Sequence, residues 1–322
     1  MRTSTAVAEA HASAPHARRR FYPMGYALDI VSNSTEVFRA AREIWGRFAP
    51  LSDAPPVRLR VDVASAEALL APVPTMPCHF EHLMAIIQGP ENFAIADMTA
   101  GFGVINVTRD VVRNAPWFIY HFLEPIAYVL LGARHFTILH AACVALDGKS
   151  ALLAGPSGAG KTCLAFACAT RGWRFVSGDA THLVRESDAT VIGRPFSIRF
   201  RSSAKSVFRE LEPYRAAFRP SGKCDIEVDT DALCLRTAVK ARAALVVFLN
   251  LAPECGAAEI APVPPGQARA LLGESICFGD AASRAEQRDA LERLLRLPLV
   301  RLTYSDPYSA EPILRAALRG AF

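Results

Sequence analysis

The chain has 322 residues, of which 51% are hydrophobic and 21% are charged, and its formal net charge is +5. This composition excludes a disordered or fibrous protein and predicts one large α/β domain, or a catalytic domain with a small partner. No stretch of 18 residues is free of charged side chains, so neither a membrane-spanning helix nor a membrane partner is expected. The eight cysteines form no Cys-x-x-Cys pair, which favours reduced thiols in a cytoplasmic protein.

The first part of the sequence indicates a small α+β unit. Residues 1–22 are rich in Ala, His and Arg and are predicted to be a flexible tail. The apolar pattern then predicts strands at 26–31, 57–63, 93–97 and 103–107. Helical periodicity predicts helices at 35–48 and 116–131. We expect an α+β N-terminal unit over residues 23–132, and we hypothesise that it docks an acceptor.

Residues 133–322 are predicted to form a catalytic domain with a mixed sheet. Asp147 and Gly148 give the strongest hairpin signal in the chain, between predicted strands at 138–146 and 150–154. The later elements are predicted in the order helix 162–170, strand 174–176, hairpin 182–184 with 191–200, strand 245–249, helix 285–297, strand 299–304 and helix 311–319. The proline-rich residues 262–265 are interpreted as a loop.

A phosphate-binding pattern follows the second strand of the first hairpin. Eight residues match G-x-x-x-x-G-K-[ST] in full: Gly155, Pro156, Ser157, Gly158, Ala159, Gly160, Lys161 and Thr162. In such a loop the backbone N–H groups and the lysine bind phosphates, the threonine hydroxyl ligates Mg²⁺, and the next helix presents its positive end. The pattern predicts that these residues, with Cys163 beside them, bind ATP and Mg²⁺; an ordinary glycine turn is the alternative.

Two further side chains are predicted near this loop. A two-residue turn at Asp147 and Gly148 makes His140 face Gly155 across the hairpin. His140 is therefore a candidate for contacting the γ-phosphate or positioning the acceptor hydroxyl, although a core histidine is the alternative. Asp179 follows the first strand after the loop helix and is a candidate metal ligand with Thr162, or a general base; a turn aspartate is the alternative.

A basic stretch follows. Between residues 190 and 223, eight Lys or Arg residues stand against two Glu residues, so the local balance is 8 − 2 = +6. Arg199 and Arg201 alternate on one predicted strand, so both emerge on one face, where they would suit phosphate or carboxylate groups; a solvated strand face is the alternative. No nucleic-acid-binding motif accompanies the basic residues, so no nucleic-acid partner is expected.

Other patterns narrow the chemistry. Cys78, His79 and His82 invite a zinc interpretation, but adjacent residues rarely point at one ion and no second ligand pair follows them, so zinc is not expected. Asn250 stands at the end of the strand at 245–249, where nucleotide-hydrolysing domains usually carry an acid. Neither a transporter-ATPase signature nor a guanine-selecting Asn-Lys-x-Asp is present. These features favour a kinase.

The run from His140 onward resembles the catalytic core of the HPr kinase/phosphorylase family. The features that carry the resemblance are the hairpin histidine, the glycine-rich loop, Arg171-Gly172 at the end of the helix, and a strand leading to Gly178-Asp179. It implies a P-loop kinase core of the HPr kinase and phosphoenolpyruvate carboxykinase type, with ATP-dependent phosphorylation of serine. Some relatives resemble kinases that modify ribosomally made peptides, including lasso-peptide precursors. The family usually has two adjacent acids where Gly178-Asp179 stands, and its later segment tied to phosphorylase activity has no counterpart, so dephosphorylation and HPr as substrate are not expected.

The leading hypothesis is a serine kinase acting on a peptide or protein with ATP and Mg²⁺. His140, Lys161, Asp179 and Arg199 are the predicted catalytic residues, with Arg201 as a second candidate for stabilising the transferred phosphate. A small-molecule kinase and a non-catalytic ATP-sensing module are the alternatives. Whether the chain forms a homo-oligomer is left open.

Overall fold

The computed structural model describes residues 15–65, 76–220, 222–272 and 279–320 of the chain. The chain divides after Leu131 into two compact units. Each unit combines helices with β-sheet, so the fold is mixed α/β. Within the described ranges, no helix is both long enough and apolar enough to cross a bilayer.

A seven-stranded sheet forms the centre of the first unit. Its strands are β1 Ala17–Phe21, β2 Leu28–Ser32, β3 Val57–Ala64, β4 Met76–Phe80, β5 Leu83–Ile87, β6 Phe93–Asp97 and β7 Phe102–Thr108. Their order is β1-β2-β3-β7-β6-β5-β4, with β2, β3 and β7 parallel to one another and the other neighbours antiparallel. The strands predicted at 57–63, 93–97 and 103–107 are confirmed, whereas β4 and β5 were not predicted.

Strand β1 lies where a flexible tail was predicted. That prediction is wrong for residues 17–21, because this segment pairs along its whole length with β2. Arg20 and Arg18 both bond to the buried carboxylate of Asp29, and the hydrogen bond from Arg20 is the main cause that lowers the pKa of Asp29. These bonds supply the partners that a buried carboxylate requires. Residues 1–14 of the predicted tail lie outside the described residues.

Among the described residues of this part of the chain, the α-helices are α1 Thr35–Trp45, α2 Arg109–Arg113, α3 Ala115–Phe118 and α4 Glu124–Arg134. The predicted helix at 35–48 is confirmed as α1, which begins where the Ser34 hydroxyl accepts a hydrogen bond from the Glu36 N–H. The helix predicted at 116–131 is confirmed, because the chain is helical from α3 through a π-helical segment at Ile119–Leu123 to the end of α4.

The described residues of the second unit form two sheets. A nine-stranded sheet has the path β11-β9-β10-β17-β13-β12-β8, with β19 beside β17 and β18 beside β19. Its strands are β8 Phe136–Leu139, β9 Ala141–Leu146, β10 Lys149–Ala154, β11 Arg174–Ser177, β12 Thr181–Val184, β13 Thr190–Ile192, β17 Lys240–Leu251, β18 Glu259–Pro262 and β19 Leu299–Tyr304. A three-stranded sheet has the order β14-β16-β15, formed by β14 Ser197–Arg201, β15 Ala217–Phe218 and β16 Cys224–Asp229.

Helices cover both faces of the larger sheet. They are α5 Lys161–Thr170, α6 Pro265–Leu272, α7 Ala281–Leu294 and α8 Pro307–Arg319. Buried residues of α5 and α8 form one core cluster with the sheet, and buried residues of α6 and α7 form another. The predicted helices at 162–170, 285–297 and 311–319 are confirmed as α5, α7 and α8, while α6 begins inside the segment that was interpreted as a loop.

The hairpin of β9 and β10 has the predicted register. Asp147 and Gly148 have φ of 50° and 80°, as a type I′ turn requires. The ladder runs from the Leu146–Lys149 pair to the Ala141–Ala154 pair. The turn therefore delivers β10 directly into the glycine-rich loop.

Two predicted strands are wrong in extent. The strand predicted at 138–146 breaks at His140, because Phe136–Leu139 pairs with β12 while Ala141–Leu146 pairs with β10. The segment predicted at 191–200 also breaks, after Ile192. Its second half joins the three-stranded sheet, where Arg199 lies opposite Glu227 of β16.

Candidate functional site

The glycine-rich loop connects β10 to α5. Gly158 and Gly160 adopt φ of 93° and 84°, a backbone conformation that glycine reaches without steric cost. The loop closes with a hydrogen bond from the Ala159 N–H to the Pro156 carbonyl, at 3.1 Å. Helix α5 starts at Lys161, so its first backbone N–H groups have no partner within the helix.

Gly160 is required at its position for a second reason. A Cβ atom there would lie 2.3 Å from the hydroxyl oxygen of Tyr304. This buried tyrosine of β19 donates a hydrogen bond of 3.0 Å to the Ala159 carbonyl, and burial raises the pKa of its hydroxyl. The neutral Tyr304 side chain thus holds the loop in place through this hydrogen bond, and Gly160 leaves room for its hydroxyl group.

Lys161 folds back over the loop. Its Nζ donates to the carbonyls of Gly155, at 2.8 Å, and Pro156, at 3.2 Å. Burial lowers the pKa of Lys161, the charge of Asp179 opposes this shift, and the charge of Arg201 adds to it. The ammonium group therefore interacts with both of these charged side chains, one acidic and one basic.

His140, Asp179 and Thr162 are connected. The His140 Nε2 lies 2.9 Å from the Asp179 Oδ1, and the Thr162 hydroxyl donates a 2.8 Å hydrogen bond to the carbonyl of Gly178, the residue before Asp179. The strand ladder ends at Ala141, so His140 is not strand-paired with Gly155 as predicted. Its position in the break between β8 and β9 instead lets the ring reach Asp179.

Arg201, not Arg199, contacts the loop. The Arg201 Nη2 donates a 2.8 Å hydrogen bond to the Ser157 hydroxyl. Arg199 forms an ion pair with Glu227 instead, with 3.5 Å between Nε and Oε1, and Arg219 pairs with the same carboxylate. Of the two arginines predicted to suit phosphate, Arg201 is therefore the one that contacts the loop, and Arg199 is engaged by Glu227.

Aromatic packing fixes the position of Arg201. Phe200, the preceding residue, contacts Phe166 of α5 edge-on, with ring centroids 5.2 Å apart. Phe208 contacts the same Phe166 ring at 4.8 Å. Because the three-stranded sheet is packed on the helix that follows the loop, its last β14 residue is held at the loop.

The basic stretch is less basic in three dimensions than in sequence. Strand β16, which begins just after it, places Asp225 opposite Arg201, Glu227 opposite Arg199 and Asp229 opposite Ser197. The Arg199 and Arg219 ion pairs lower the pKa of Glu227 although its burial acts in the opposite sense and is the largest single cause. These acidic residues begin at Asp225, just beyond the basic stretch, so a charge balance taken to Lys223 does not include them.

The remaining predicted residues are also located. Cys163 lies in the first turn of α5, partly buried, and burial raises the pKa of its thiol. Asn250 lies in β17, where its amide donates to the Thr303 hydroxyl at 3.3 Å. Among the described residues, no group of three His, Cys, Asp or Glu side chains is arranged to hold a metal ion, and this includes the described Cys78, His79 and His82.

The residues present still fit Mg²⁺ bound together with a nucleotide. The Thr162 hydroxyl donates a hydrogen bond to the Gly178 carbonyl oxygen, which leaves the lone pairs of the hydroxyl oxygen free for a cation. Asp179 is the adjacent carboxylate and is 76% exposed. Mg²⁺ commonly takes one or two protein ligands and completes its shell with phosphates and water, so a cluster of three protein ligands is not required.

The chain was compared with protein-family models, curated proteins and solved structures. No protein-family model matches the chain, and no curated protein matches it. Among solved structures, it is similar to the Hpr(Ser) kinase/phosphatase from Coxiella burnetii, with 13% identity over 57% of this chain and 95% of that one, and a TM-score of 0.27. Because the identity and the TM-score are both low, this similarity decides neither the family nor the activity of the chain.

Proposed function

We propose that the chain is an ATP-dependent kinase that transfers the γ-phosphate to a hydroxyl group of a peptide or protein, a serine side chain in the first instance. The observation that carries the proposal is that a phosphate-binding loop and a paired histidine and aspartate lie next to each other. One part is the complete phosphate-loop pattern between β10 and α5, and the other is the pair of His140 and Asp179, 2.9 Å apart. The Thr162 hydroxyl links the two parts through the Gly178 carbonyl.

The loop, Lys161 and Arg201 are assigned to the triphosphate. Phosphate oxygens are stronger acceptors for an ammonium group than the two carbonyls that Lys161 contacts. Arg201 adds a second positive charge next to Ser157. Together with the positive end of α5, these groups supply the positioning and charge that dominate catalysis of phosphoryl transfer.

Thr162 and Asp179 are assigned to Mg²⁺. When held by Thr162 and Asp179, Mg²⁺ would neutralise negative charge that develops during transfer. The chain's own contribution is geometric, because the Thr162–Gly178 hydrogen bond holds the start of α5 next to the segment that carries Asp179.

The pair of Asp179 and His140 is assigned to the acceptor proton. The acceptor oxygen attacks Pγ, the bond from Pγ to the bridging oxygen breaks, ADP leaves, and the hydroxyl proton passes to the pair. A carboxylate in hydrogen-bond contact with an imidazole can accept that proton and orient the hydroxyl. One carboxylate then serves both the metal and the proton, as the single acid at this position requires.

Exposure of the pair favours a macromolecular acceptor. The His140 and Asp179 side chains are 50% and 76% exposed, which leaves room for a chain segment to enter. The clefts of about 510 and 360 Å³ in the second unit are lined by other residues. A ribosomally made precursor peptide of the lasso type is one acceptor that belongs in the test set, and a metabolite set tests the small-molecule alternative.

The experiment is transfer from γ-labelled ATP to serine-containing peptides, with phosphopeptide mapping by mass spectrometry. We expect labelled serine with the native chain, and none with Lys161→Ala or Asp179→Asn. Lys205→Ala is the matched control, because its ammonium group contacts the Glu212 carbonyl and not the loop. Undiminished transfer by Lys161→Ala would refute the proposal, and ATP binding without transfer to any acceptor would favour the sensing module.

A further inference from the structure

One face of the seven-stranded sheet in the first unit leaves large apolar side chains exposed. The other face is packed, because alternate residues of β5, β6 and β7 are buried. For example, a Cβ at Gly103 would lie 2.9 Å from Ile126 of α4. The residues between them point to the opposite face, since side chains alternate along a strand.

That opposite face is apolar where it is expected to be polar. Its largest exposed side chains are Phe80, Ile87, Ile95 and Phe102, with exposed fractions of 72%, 54%, 45% and 36%. An antiparallel sheet with one solvated face normally alternates apolar residues inside with polar residues outside. Contiguous exposed apolar side chains of this kind mark a binding surface.

The register places Ile87, Ile95 and Phe102 on adjoining strands, and Phe80 adjoins them through Leu83, its partner across β4 and β5. Ile95 lies opposite Val104, Ile87 lies opposite Phe93, and Phe102 lies opposite Asp97, which is two residues from Ile95. We call this surface the apolar patch, formed by Phe80, Ile87, Phe93, Ile95, Phe102 and Val104. Asp97 is the one carboxylate among the described residues of β4–β7 that share this face, and it accepts a hydrogen bond from the Ala100 N–H.

A basic border adjoins the apolar patch along β3. Arg58 lies opposite Phe102 and Arg60 lies opposite Val104. The Arg58 guanidinium lies 5.9 Å from the centroid of the Phe102 ring, and within the described residues Arg58 has no ion pair. Arg60 forms an ion pair with Asp62, with 2.7 Å between its Nε and the Asp62 Oδ2. The border therefore favours carboxylates on whatever covers the patch.

The size of the apolar patch selects among occupants. Strands about 4.8 Å apart, with same-face residues about 6.8 Å apart along each strand, give a patch roughly 20 Å on each side, or about 400 Å². A stable dimer interface buries about 800 Å² on each partner, which is twice this area. One helix of about 13 residues is roughly 20 Å long and fits the patch.

We propose that the apolar patch docks an amphipathic helix of a partner, whose apolar side chains cover Ile95 and Phe102 and whose acidic side chains meet Arg58 and Arg60. Neither the loop nor its nucleotide takes part, so this inference is independent of the proposed kinase activity. The chemistry of the partner is defined on two counts, an apolar stripe at helical spacing and carboxylates along one flank.

The probe is a fluorescein-labelled 14-residue helical peptide with leucines on one stripe and glutamates on one flank, measured by fluorescence anisotropy with the full chain and no nucleotide. Two matched peptides replace the glutamates by lysines or scramble the stripe. We expect saturable binding of the acidic peptide, at least about tenfold weaker binding of the other two, and a similar loss with Ile95→Asp. Leu271→Asp, an exposed leucine on α6 in the second unit, is the control and keeps full affinity.

A charge exchange provides the second variant. Arg58→Glu with Arg60→Glu alters only exposed side chains, so folding is expected to persist, and this variant should prefer the lysine peptide. Equal affinity for all three peptides, or an Ile95→Asp variant that binds as well as the native chain, would overturn the proposal. A dimer in sedimentation that Ile95→Asp dissociates would also overturn it, because a second copy would then be the occupant.

Discussion

The contact between Gly160 and Tyr304 makes a stringent test of the loop geometry. In a Gly160→Ala variant the new Cβ would stand 2.3 Å from the Tyr304 hydroxyl oxygen, closer than non-bonded atoms approach. The residue would also keep a φ of 84°, which costs an L-residue about 1–2 kcal/mol. Relief of the overlap by movement of the loop or ring costs about 1–3 kcal/mol more.

Removal of the hydroxyl separates these two costs. Tyr304→Phe loses the 3.0 Å hydrogen bond to the Ala159 carbonyl and should destabilise the chain by about 1–3 kcal/mol. In the double variant the nearest remaining Tyr304 atom is the ring carbon, at 3.4 Å, so the overlap disappears and only the backbone cost remains. The double variant should therefore be more stable than the sum of the single effects by about 1–3 kcal/mol.

Urea unfolding of the four proteins measures this coupling, with equal m-values as the sign of a shared two-state transition. We also expect Gly160→Ala to weaken ATP binding and Tyr304→Phe to restore part of it in the double variant. If the two substitutions are additive within about 0.5 kcal/mol, the loop does not touch Tyr304 and the described geometry is wrong.

Three further outcomes are expected. Arg201→Ala should weaken ATP binding about tenfold, while Arg199→Ala should change it less than about threefold, because of the two only Arg201 contacts the loop. A larger loss of ATP affinity with Arg199→Ala than with Arg201→Ala, measured by calorimetry, would contradict the assignment of Arg201 to the phosphates. Burial lowers the pKa of His182 from 6.5 to about 4, so the unfolded chain binds the proton first as pH falls, and the free energy of unfolding decreases between pH 6.5 and 4. From pH 7 to 5 this decrease amounts to about 2 kcal/mol. His182→Gln should remove that amount from the pH dependence measured by urea unfolding. Glu311 is buried and accepts a 2.6 Å hydrogen bond from a tryptophan, so Glu311→Ala should lower the free energy of unfolding by about 2–4 kcal/mol. Arg319→Ala removes one side of an exposed ion pair and should change the free energy of unfolding by less than about 1 kcal/mol. Equal effects of the two substitutions would show that the buried contact is not formed.

Local rules explain what the sequence revealed. The type I′ turn at Asp147 and Gly148 fixes the register of two strands within a few residues, so the pairing down to Ala141 was predictable. The same turn places the end of β10 at the glycine-rich loop, whose pattern is itself local. Predictions that needed only neighbouring residues therefore succeeded.

Non-local pairing explains what the sequence did not reveal. Ala17–Phe21 has three consecutive arginines and looks like a tail until Asp29 supplies its partner from β2. The break at His140 also has no local signal, because β8 leaves the hairpin to pair with β12, between 42 (181 − 139) and 48 (184 − 136) residues further on. In both cases a distant strand decides the structure, and apolar periodicity does not identify that strand.

The candidate site shows the same division. The loop and Asp179 follow from local patterns, whereas the choice between Arg199 and Arg201 depends on β16. Alternation placed both arginines on one face, and only the position of Glu227 across the ladder distinguishes them. Acidic residues that alternate in 225–229 were the available signal, since opposite charges pair across neighbouring strands.

The most direct measurement is calorimetric titration of the full chain with ATP in the presence and absence of Mg²⁺. We expect one ATP bound per chain, tighter binding with Mg²⁺, and a loss of at least about tenfold in affinity with Lys161→Ala, whose fold is checked by circular dichroism. The absence of ATP binding to folded native chain, or unchanged binding by Lys161→Ala, would contradict the assignment of residues 155–162 as the triphosphate site.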